Sequence, residues 1–219
     1  MKKRKNNLPV AIVTKIKPQK AKKRLNIFLD GKYAFSLLPE EAVKEKIKIG
    51  AEISSEKIQN LIKESDFQVS LEKAYNFLSF RPRSLAEVTD YLTKKGVGEE
   101  TGKQVIDKLQ ELRMVDDLKF SQWWLEQRQT FRPIGKKLLA LELKKKGIAR
   151  EIVDQVLADQ RETDEILTAR QLLSKKSGRW QNLTFAEFRK KAGDFLLRRG
   201  FSWETVNGLM IEFKKDFSG

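Results

Sequence analysis

Phe80-Arg81-Pro82, followed by Gly96-Val97, is a stretch that recurs in the chain as Phe131-Arg132-Pro133 and Gly147-Ile148. The spacing from Phe to Gly is sixteen residues in both copies, and the residues between them have the apolar periodicity of one amphipathic helix. A third, looser copy ends in Arg-Arg-Gly at Gly200. Repeats of this size are typical of stacked helical units that cannot bury their apolar faces alone.

Each copy predicts three helices rather than one. Apolar pairs recur nine and ten residues after each glycine, at Val105-Ile106, Val156-Leu157 and Leu209-Met210, which indicates a further helix in every unit. The first helix of the first unit is predicted from Ser55 to Phe80, either unbroken or interrupted near Ser65-Asp66.

Two capping boxes mark where middle helices begin. Ser84-Leu85-Ala86-Glu87 lies twelve residues before Gly96, whereas Thr184-Phe185-Ala186-Glu187 begins sixteen residues before Gly200. The difference is about one helical turn. We therefore expect the third unit to have a longer middle helix, preceded by a loop around Ser177-Gly178.

The N-terminal quarter has the alternating pattern of strands. Strand-like runs occupy residues 11–16, 24–29, 32–37 and 48–53, and Asp30-Gly31 between the second and third is a type I′ hairpin signal. A short helix is predicted to begin at Pro39. A sheet this small is marginal alone, so we expect it to pack on the helices that follow.

Together these patterns predict a mainly α fold in which three tandem three-helix repeats form an elongated array behind a small N-terminal module containing a β-hairpin. The expected domain limits are residues 1–54 for the β module and its basic tail, 55–115 for repeat 1, 116–160 for repeat 2 and 161–219 for repeat 3.

The composition excludes most enzyme chemistry. The chain has no histidine and no cysteine, which removes His-based acid–base catalysis, thiolate nucleophiles and thiolate metal sites. The adjacent acids Glu40-Glu41, Glu99-Glu100 and Asp116-Asp117 are expected in first turns of helices, where carboxylates complement the dipole. We therefore predict a protein that is not an enzyme, with no catalytic residues and no cofactor or metal site.

The charge points to an anionic partner. The formal net charge of +15 attracts nucleic acid, an anionic membrane or an acidic protein surface over a long range. No apolar run approaches the roughly 20 residues of a membrane span. A cytoplasmic protein without a membrane partner is the expectation.

Two stretches resemble a known family, the bacterial RecX regulatory proteins. The first runs from Ala74 through Phe80-Arg81-Pro82 to Lys94-Lys95-Gly96, and the second from Asp116-Asp117-Leu118-Lys119-Phe120 to Gly147-Ile148. Two departures are Arg113, where the family usually has a helix-ending glycine, and Ser121, where it has alanine.

The resemblance implies a regulator that is not an enzyme and that binds the RecA filament on single-stranded DNA. Such a protein suppresses recombinase, ATPase and co-protease activity in DNA repair and the SOS response. It implies a monomer that lies in the filament groove and binds single-stranded DNA weakly or indirectly by itself. The alternative, from charge alone, is a free-standing nucleic-acid-binding protein without sequence preference, and a scaffold for another acidic protein is a third possibility.

Basic clusters that recur around the middle helices are the candidate contacts with the filament. Charge complementarity to helix C-termini explains any single cluster, so the functional hypothesis rests on their repetition. The candidates are Arg81, Arg83, Lys94, Lys95, Arg132, Lys136, Lys137, Lys144, Lys145, Lys146, Arg189, Lys190, Arg198 and Arg199.

The helix that Asp116-Asp117 is predicted to cap adds two more candidates. Because adjacent residues cannot both face one core, we expect Trp124 to be buried and Trp123 to be available for a contact. Arg128 is predicted either to pair with an acid such as Asp116 or to reach the filament.

Overall fold

The computed structural model describes residues 10–19, 24–160, 162–180 and 182–215. The basic tail Lys2–Lys5 lies outside these residues. The described chain is mainly helical and begins with a small antiparallel sheet, so the predicted fold class is confirmed.

The N-terminal module, within the described residues, is a four-stranded sheet of order β3-β2-β1-β4, all pairs antiparallel. Asp30 and Gly31 have φ values of 47° and 82°, the backbone of the predicted type I′ turn. The strands are β1 Val10–Pro18, β2 Leu25–Leu29, β3 Lys32–Leu37 and β4 Glu52–Ser54, and the short helix α1 Pro39–Lys44 follows β3.

The sheet is stabilised by packing on the first long helix, as its small size requires. Val13, Ile27, Phe35 and Ile53 are buried together with Leu61 of that helix. Arg24 is also buried, and its guanidinium donates to the carboxylate of Glu72 at 3.1 Å and to the Ser36 carbonyl at 3.1 Å.

Three three-helix domains follow. Domain 1 has α2 Ser55–Leu78, α3 Leu85–Lys94 and α4 Glu99–Glu111, domain 2 has α5 Asp117–Phe131, α6 Lys136–Lys145 and α7 Arg150–Ala158, and domain 3 has α8 Glu162–Trp180, α9 Phe185–Arg198 and α10 Trp203–Lys214.

Each middle helix ends at a glycine in the left-handed region. Gly96, Gly147 and Gly200 have φ values of 73°, 76° and 80°, a conformation that glycine adopts without steric cost. At its other end α9 begins with the predicted capping box, in which Thr184 accepts from the Glu187 amide. Helix α9 has 14 residues and α3 and α6 have 10 each, so the prediction of a middle helix one turn longer is confirmed.

Contacts divide the described residues into two compact units: those up to residue 77 together with 91–108, and those of 78–90 together with the residues from 109 onward. In the first, the Phe77 and Tyr91 rings stack with centroids 4.1 Å apart, which joins α2 to α3. The second contains the core of domain 2, around Phe120, Leu139 and Leu143, and that of domain 3. The predicted domain limits at 55, 116 and 161 stay a prediction.

Two expectations about the elements are corrected, and one open alternative is resolved. Strand β4 begins at Glu52 rather than at Lys48, because Gly50 has a φ of 84° and the chain turns there. The unbroken alternative for the first long helix is confirmed, since α2 runs through Ser65-Asp66 without interruption. Ser177-Gly178 lies inside α8 rather than in a loop, because Trp180 packs against Phe188 and Phe195 and holds the end of that helix on the core.

No helix in the described ranges is both long and apolar enough to span a bilayer.

Candidate partner-binding surface

Two of the repeated motifs meet at the junction of domains 1 and 2. Ser84, at the start of α3, donates its hydroxyl to the carbonyl of Lys146, the residue before Gly147, at 2.7 Å. A Cβ on Gly147 would lie 2.3 Å from the Cβ of Ala86, so the end of α6 packs closely on the start of α3. This contact is called the first junction, and it joins Ser84–Glu87 to Lys146-Gly147.

The second junction repeats this contact one domain later. Gly135, four residues after Phe131 as Ser84 is four after Phe80, donates its amide to the Arg199 carbonyl at 2.8 Å. A Cβ on Gly200 would lie 2.4 Å from the backbone nitrogen of Leu138. The Phe-Arg-Pro and basic-Gly motifs are therefore the two halves of one joint, which connects the start of one middle helix to the end of the next.

A carboxylate from the following domain completes each joint. The Leu85 amide, in the first turn of α3, donates to Asp117 of α5 at 2.8 Å, and the Lys136 amide, in the first turn of α6, donates to Glu165 of α8 at 3.2 Å. These amides have no partner within their own helices, so the carboxylates satisfy groups that would otherwise need water.

Glu87 is the electrostatic centre of the first junction. Its carboxylate accepts two hydrogen bonds from Arg81, at 2.9 and 3.0 Å, and one from Lys146 at 2.5 Å. Burial raises the pKa of Glu87, but the hydrogen bonds and positive charges of Arg81 and Lys146 together outweigh it and lower the pKa from 4.5 to about 2. Glu87 is therefore ionised at neutral pH and holds both cations.

The cations beside Trp124 are also held in place. Arg128 Nε donates to Glu142 at 2.6 Å, Trp124 Nε1 donates to the same oxygen at 2.8 Å, and the guanidinium lies 4.5 Å from the centre of the Trp124 ring. The Lys146 ammonium lies 5.0 Å from the same ring. Arg128 therefore pairs with an acid, one of the two predictions made for it, but the acid is Glu142 and not the suggested Asp116, which accepts from the Lys119 amide and caps α5.

The prediction for the two tryptophans is also corrected. Trp123 and Trp124 are both half-buried, and both pack against Phe120. Trp124 does not go fully into the core because its indole N–H needs the Glu142 carboxylate near the surface. Trp123 is accordingly less available for a contact than the sequence indicates.

The predicted basic residues divide into two groups. Arg81, Arg83, Arg128, Lys136, Lys146 and Arg199 are half-buried. Arg199, for example, donates to the Pro133 carbonyl at 3.0 Å, while burial and the charge of Arg132 lower its pKa. The exposed group consists of Lys94, Lys95, Arg132, Lys137, Lys144, Lys145, Arg189, Lys190 and Arg198. This second group is the candidate partner-binding surface.

An exposed aromatic ring accompanies part of this surface. Trp203, at the start of α10, is 55% exposed and lines a groove of about 470 Å³ with Arg189 and Lys190 of α9. The floor of the groove is apolar and includes Val206 and Met210. An exposed indole beside two cations is suited to stacking on a base or an aromatic side chain.

Sequence reasoning missed the two acids that hold the cations. Glu87 was visible only as a member of a capping box, and Glu142 carried no signal. Their positions opposite Arg81, Lys146 and Arg128 depend on the packing of one domain on the next and on helix-to-helix distances within domain 2. The repeats did contain one usable signal. Both motifs recur with the same spacing, which would indicate that Ser84 of one copy contacts Lys146 of the next if the two motifs form one joint.

Comparison with family models identifies the same four segments. The matches are the RecX N-terminal domain over residues 11–54 and the first, second and third three-helix domains of RecX over residues 71–109, 116–157 and 163–210. They cover most of the chain in the order expected for the family.

Curated relatives and solved structures agree with these matches. Regulatory protein RecX of Lactobacillus johnsonii is 31% identical over 209 residues, 94% of this chain and 77% of the relative, and that of Bacillus pumilus is 32% identical over 201 residues, 91% and 76%. A crystal structure of a regulatory protein RecX has a TM-score of 0.69 at 23% identity, covering 90% of this chain and 97% of that one. RecX from Lactobacillus salivarius has a TM-score of 0.64 at 24% identity, covering 68% and 97%. With every family segment present and the repeated joints that connect them, this chain belongs to the RecX family of regulatory proteins.

Proposed function

We propose that this protein binds the RecA filament on single-stranded DNA and inhibits its recombinase, ATPase and co-protease activities. The observation that carries the proposal is the presence of all four RecX segments, in order, over most of the chain. The protein would act as a cytoplasmic regulator of DNA repair and the SOS response, a monomer in free solution.

The exposed basic residues supply the attraction to the filament. A net charge of +15 draws the protein to phosphates and to acidic protein surfaces. Nine of the candidate cations are exposed, so they can reach a partner without any rearrangement of the fold. The half-buried cations of the two junctions serve a different purpose, since they keep consecutive domains in register. The filament contacts are therefore assigned to the exposed group, with Trp203 as an added candidate.

Inhibition requires a preference among filament states. A protein that bound active and inactive filaments equally would shift neither, however tightly it bound. We propose that the domains contact neighbouring RecA protomers at a spacing found in only one state, so that binding slows the cycle of ATP hydrolysis.

The test is RecA-dependent ATP hydrolysis on single-stranded DNA with this protein titrated in, at about 0.15 M salt, where loose charge pairing is screened. We expect inhibition at amounts well below those that coat the DNA. Hydrolysis that falls only when the DNA is saturated with this protein would contradict the proposal.

The second candidate is a free-standing nucleic-acid-binding protein, which the strong positive charge favours. It predicts tight binding to naked DNA with a steep salt dependence, whereas the filament regulator binds naked DNA weakly and the filament more tightly. Fluorescence anisotropy of labelled oligonucleotide, with and without RecA, separates the two.

A further inference from the structure

Within the part of the chain that the structure describes, one surface of each kind used in the two junctions has no counterpart. In both junctions the start of one middle helix packs against the end of the next middle helix, α3 against α6 and α6 against α9. The start of α9 has no following domain within 182–215, and the end of α3 is preceded by the sheet module rather than by another repeat.

The start of α9 has the same residues as the start of α3. Thr184, Ala186 and Glu187 occupy the positions of Ser84, Ala86 and Glu87, which in the first junction receive Lys146-Gly147. Thr184, Ala186 and Glu187 are all exposed. The charged receptor of the first junction is thus present a second time.

The end of α3 has the same residues as the end of α6. Lys95-Gly96 corresponds to Lys146-Gly147, and both Lys95 and Gly96 are exposed. A Cβ built on Gly96 would meet no described atom within 4 Å, whereas one on Gly147 would lie against Ala86. The close-packing glycine of the junction is therefore kept at a position where the described residues supply nothing to pack against it.

A third match concerns the carboxylate that completes each joint. Asp66 of α2 lies fourteen residues before Phe80, as Asp117 lies fourteen before Phe131, and Asp66 is exposed. In the first junction, domain 2 contacts domain 1 through a lysine, a glycine and an acid. The first compact unit has a residue of the same type at each corresponding position, namely Lys95, Gly96 and Asp66.

We propose that copies of this protein join end to end, with Lys95-Gly96 and Asp66 of one copy docking on Thr184–Glu187 of the next in the arrangement of the first junction. Because each copy offers one surface of each kind, the contact is heterologous and repeats along a row of copies. One helix end per copy buries less than the roughly 1,000 Å² of a stable interface, and the positive charge of both copies opposes contact. The association is therefore weak in free solution and is strengthened where copies are concentrated side by side.

The absence of cysteine from the chain makes the test direct. One protein would carry Lys94→Cys, beside the proposed lysine, and a second, of different tag length, Asn182→Cys, beside the proposed receptor. Both positions are exposed. After mixing at high concentration with a short bis-maleimide linker, we expect the mixed dimer to exceed both like-with-like dimers. A statistical mixture of the three, or monomer alone at the highest attainable concentration, would overturn the proposal.

Charge variants identify the residues of the contact. Lys95→Glu in the first protein should reduce the mixed dimer by roughly tenfold or more, the effect of losing one charge-assisted hydrogen bond. Combining it with Glu187→Lys in the second protein should restore the dimer. Lys103→Glu, an exposed lysine on α4, is the matched control and should leave the yield unchanged. Equal loss in Lys95→Glu and Lys103→Glu, or no recovery in the swapped pair, would refute the contact.

The charge swap also removes an ambiguity about folding. Glu187 belongs to the capping box of α9, so Glu187→Lys alone weakens that helix start whether or not the contact exists. Lys95→Glu likewise places an acid at the C-terminal end of α3, where the helix dipole disfavours it. Each change alone therefore weakens a helix end, and recovery of the mixed dimer when the two are combined cannot come from a weakened helix. The measurement uses no RecA, so its outcome is independent of the proposed function.

Discussion

Glu87 joins two domains with one side chain, and this gives the first junction a dependence on pH. The carboxylate is fully stabilising only while ionised, and its pKa in the folded protein is about 2, below the ordinary 4.5. A carboxyl with a lowered folded pKa contributes stability above its unfolded pKa and loses it as the pH falls through the folded value. The contribution should therefore fade between pH 4.5 and about 2.

The corresponding prediction is that Glu87→Gln lowers the free energy of unfolding by about 1–2 kcal/mol at neutral pH, a figure reduced for the partial exposure of the site. The difference from the parent protein should shrink as the pH is lowered below 4.5. Urea titrations followed by circular dichroism over this range would measure it. Glu126→Gln, an exposed acid on α5, is the control and should show no such difference.

Asp117 behaves in the opposite way. Burial raises its pKa, the hydrogen bond from the Leu85 amide opposes this, and the neighbouring Asp116 raises it further. The charge is therefore unfavourable in the folded protein although the hydrogen bond is useful. Asp117→Asn keeps an acceptor for Leu85 and removes the charge, so it should leave stability at neutral pH unchanged or slightly higher.

Asp117→Ala provides the contrast, because it leaves the Leu85 amide without its 2.8 Å partner. We expect a loss of about 1 kcal/mol, typical of a missing helix cap. The midpoints of thermal unfolding of Asp117→Asn and Asp117→Ala, measured under the same conditions, show whether the acceptor or the charge stabilises the fold. Equal destabilisation by both would mean that the negative charge, and not the acceptor, matters at this position.

At the scale of elements, the glycines at helix ends test the repeated joint. Gly96, Gly147 and Gly200 share a positive φ, so alanine costs roughly 1 kcal/mol of backbone strain at each. At Gly200 the new Cβ would also lie 2.4 Å from the Leu138 nitrogen, which is backbone and cannot move aside. We expect Gly200→Ala to cost about 3 kcal/mol in total, since overpacking adds to the strain.

Gly96→Ala is the matched control, because its Cβ would meet nothing within 4 Å of the described chain. It should cost only the roughly 1 kcal/mol of strain. Gly147→Ala should resemble Gly200→Ala, although its contact is a single methyl of Ala86. The midpoints of thermal unfolding of the three variants rank their losses of stability. If Gly96→Ala proved as harmful as Gly200→Ala, the close packing at the joint would not be the cause.

Helices and their ends could be predicted from the sequence because their signals are local. The capping residues Ser84, Asp116 and Thr184 and the glycines at 96, 147 and 200 act within one or two turns, and each prediction from them was correct. Gly178 shows where this fails. A helical glycine costs only about 1 kcal/mol, and the packing of Trp180 on the domain 3 core outweighs it, which no local pattern reveals.

At the scale of the whole molecule, the sequence predicted the order of the domains. It did not predict which of the basic residues lie in the joints between domains and which are exposed to a partner. Recurring lysines and arginines were interpreted as one binding surface. The structure assigns Lys146 and Arg199 to the joints between domains, because each finds an acceptor in the neighbouring repeat. Arg81 belongs to the first joint as well, because it donates to Glu87, the carboxylate that also holds Lys146. Such acceptors depend on tertiary packing, so repetition alone cannot separate a joint from a binding site.

The separation of the two groups can be tested by reversing charge in the exposed one. Lys144→Glu with Lys145→Glu, at the end of α6, should weaken inhibition of RecA-dependent ATP hydrolysis while leaving thermal unfolding close to that of the parent, because both side chains are exposed. Lys48→Glu with Lys63→Glu makes the same change in net charge on exposed residues outside the candidate surface. If net charge alone drove binding, the two double variants would lose inhibition equally. We expect the Lys144 and Lys145 pair to lose clearly more, because contacts that fix a protein on a filament depend on where a charge lies, whereas long-range attraction depends on the total.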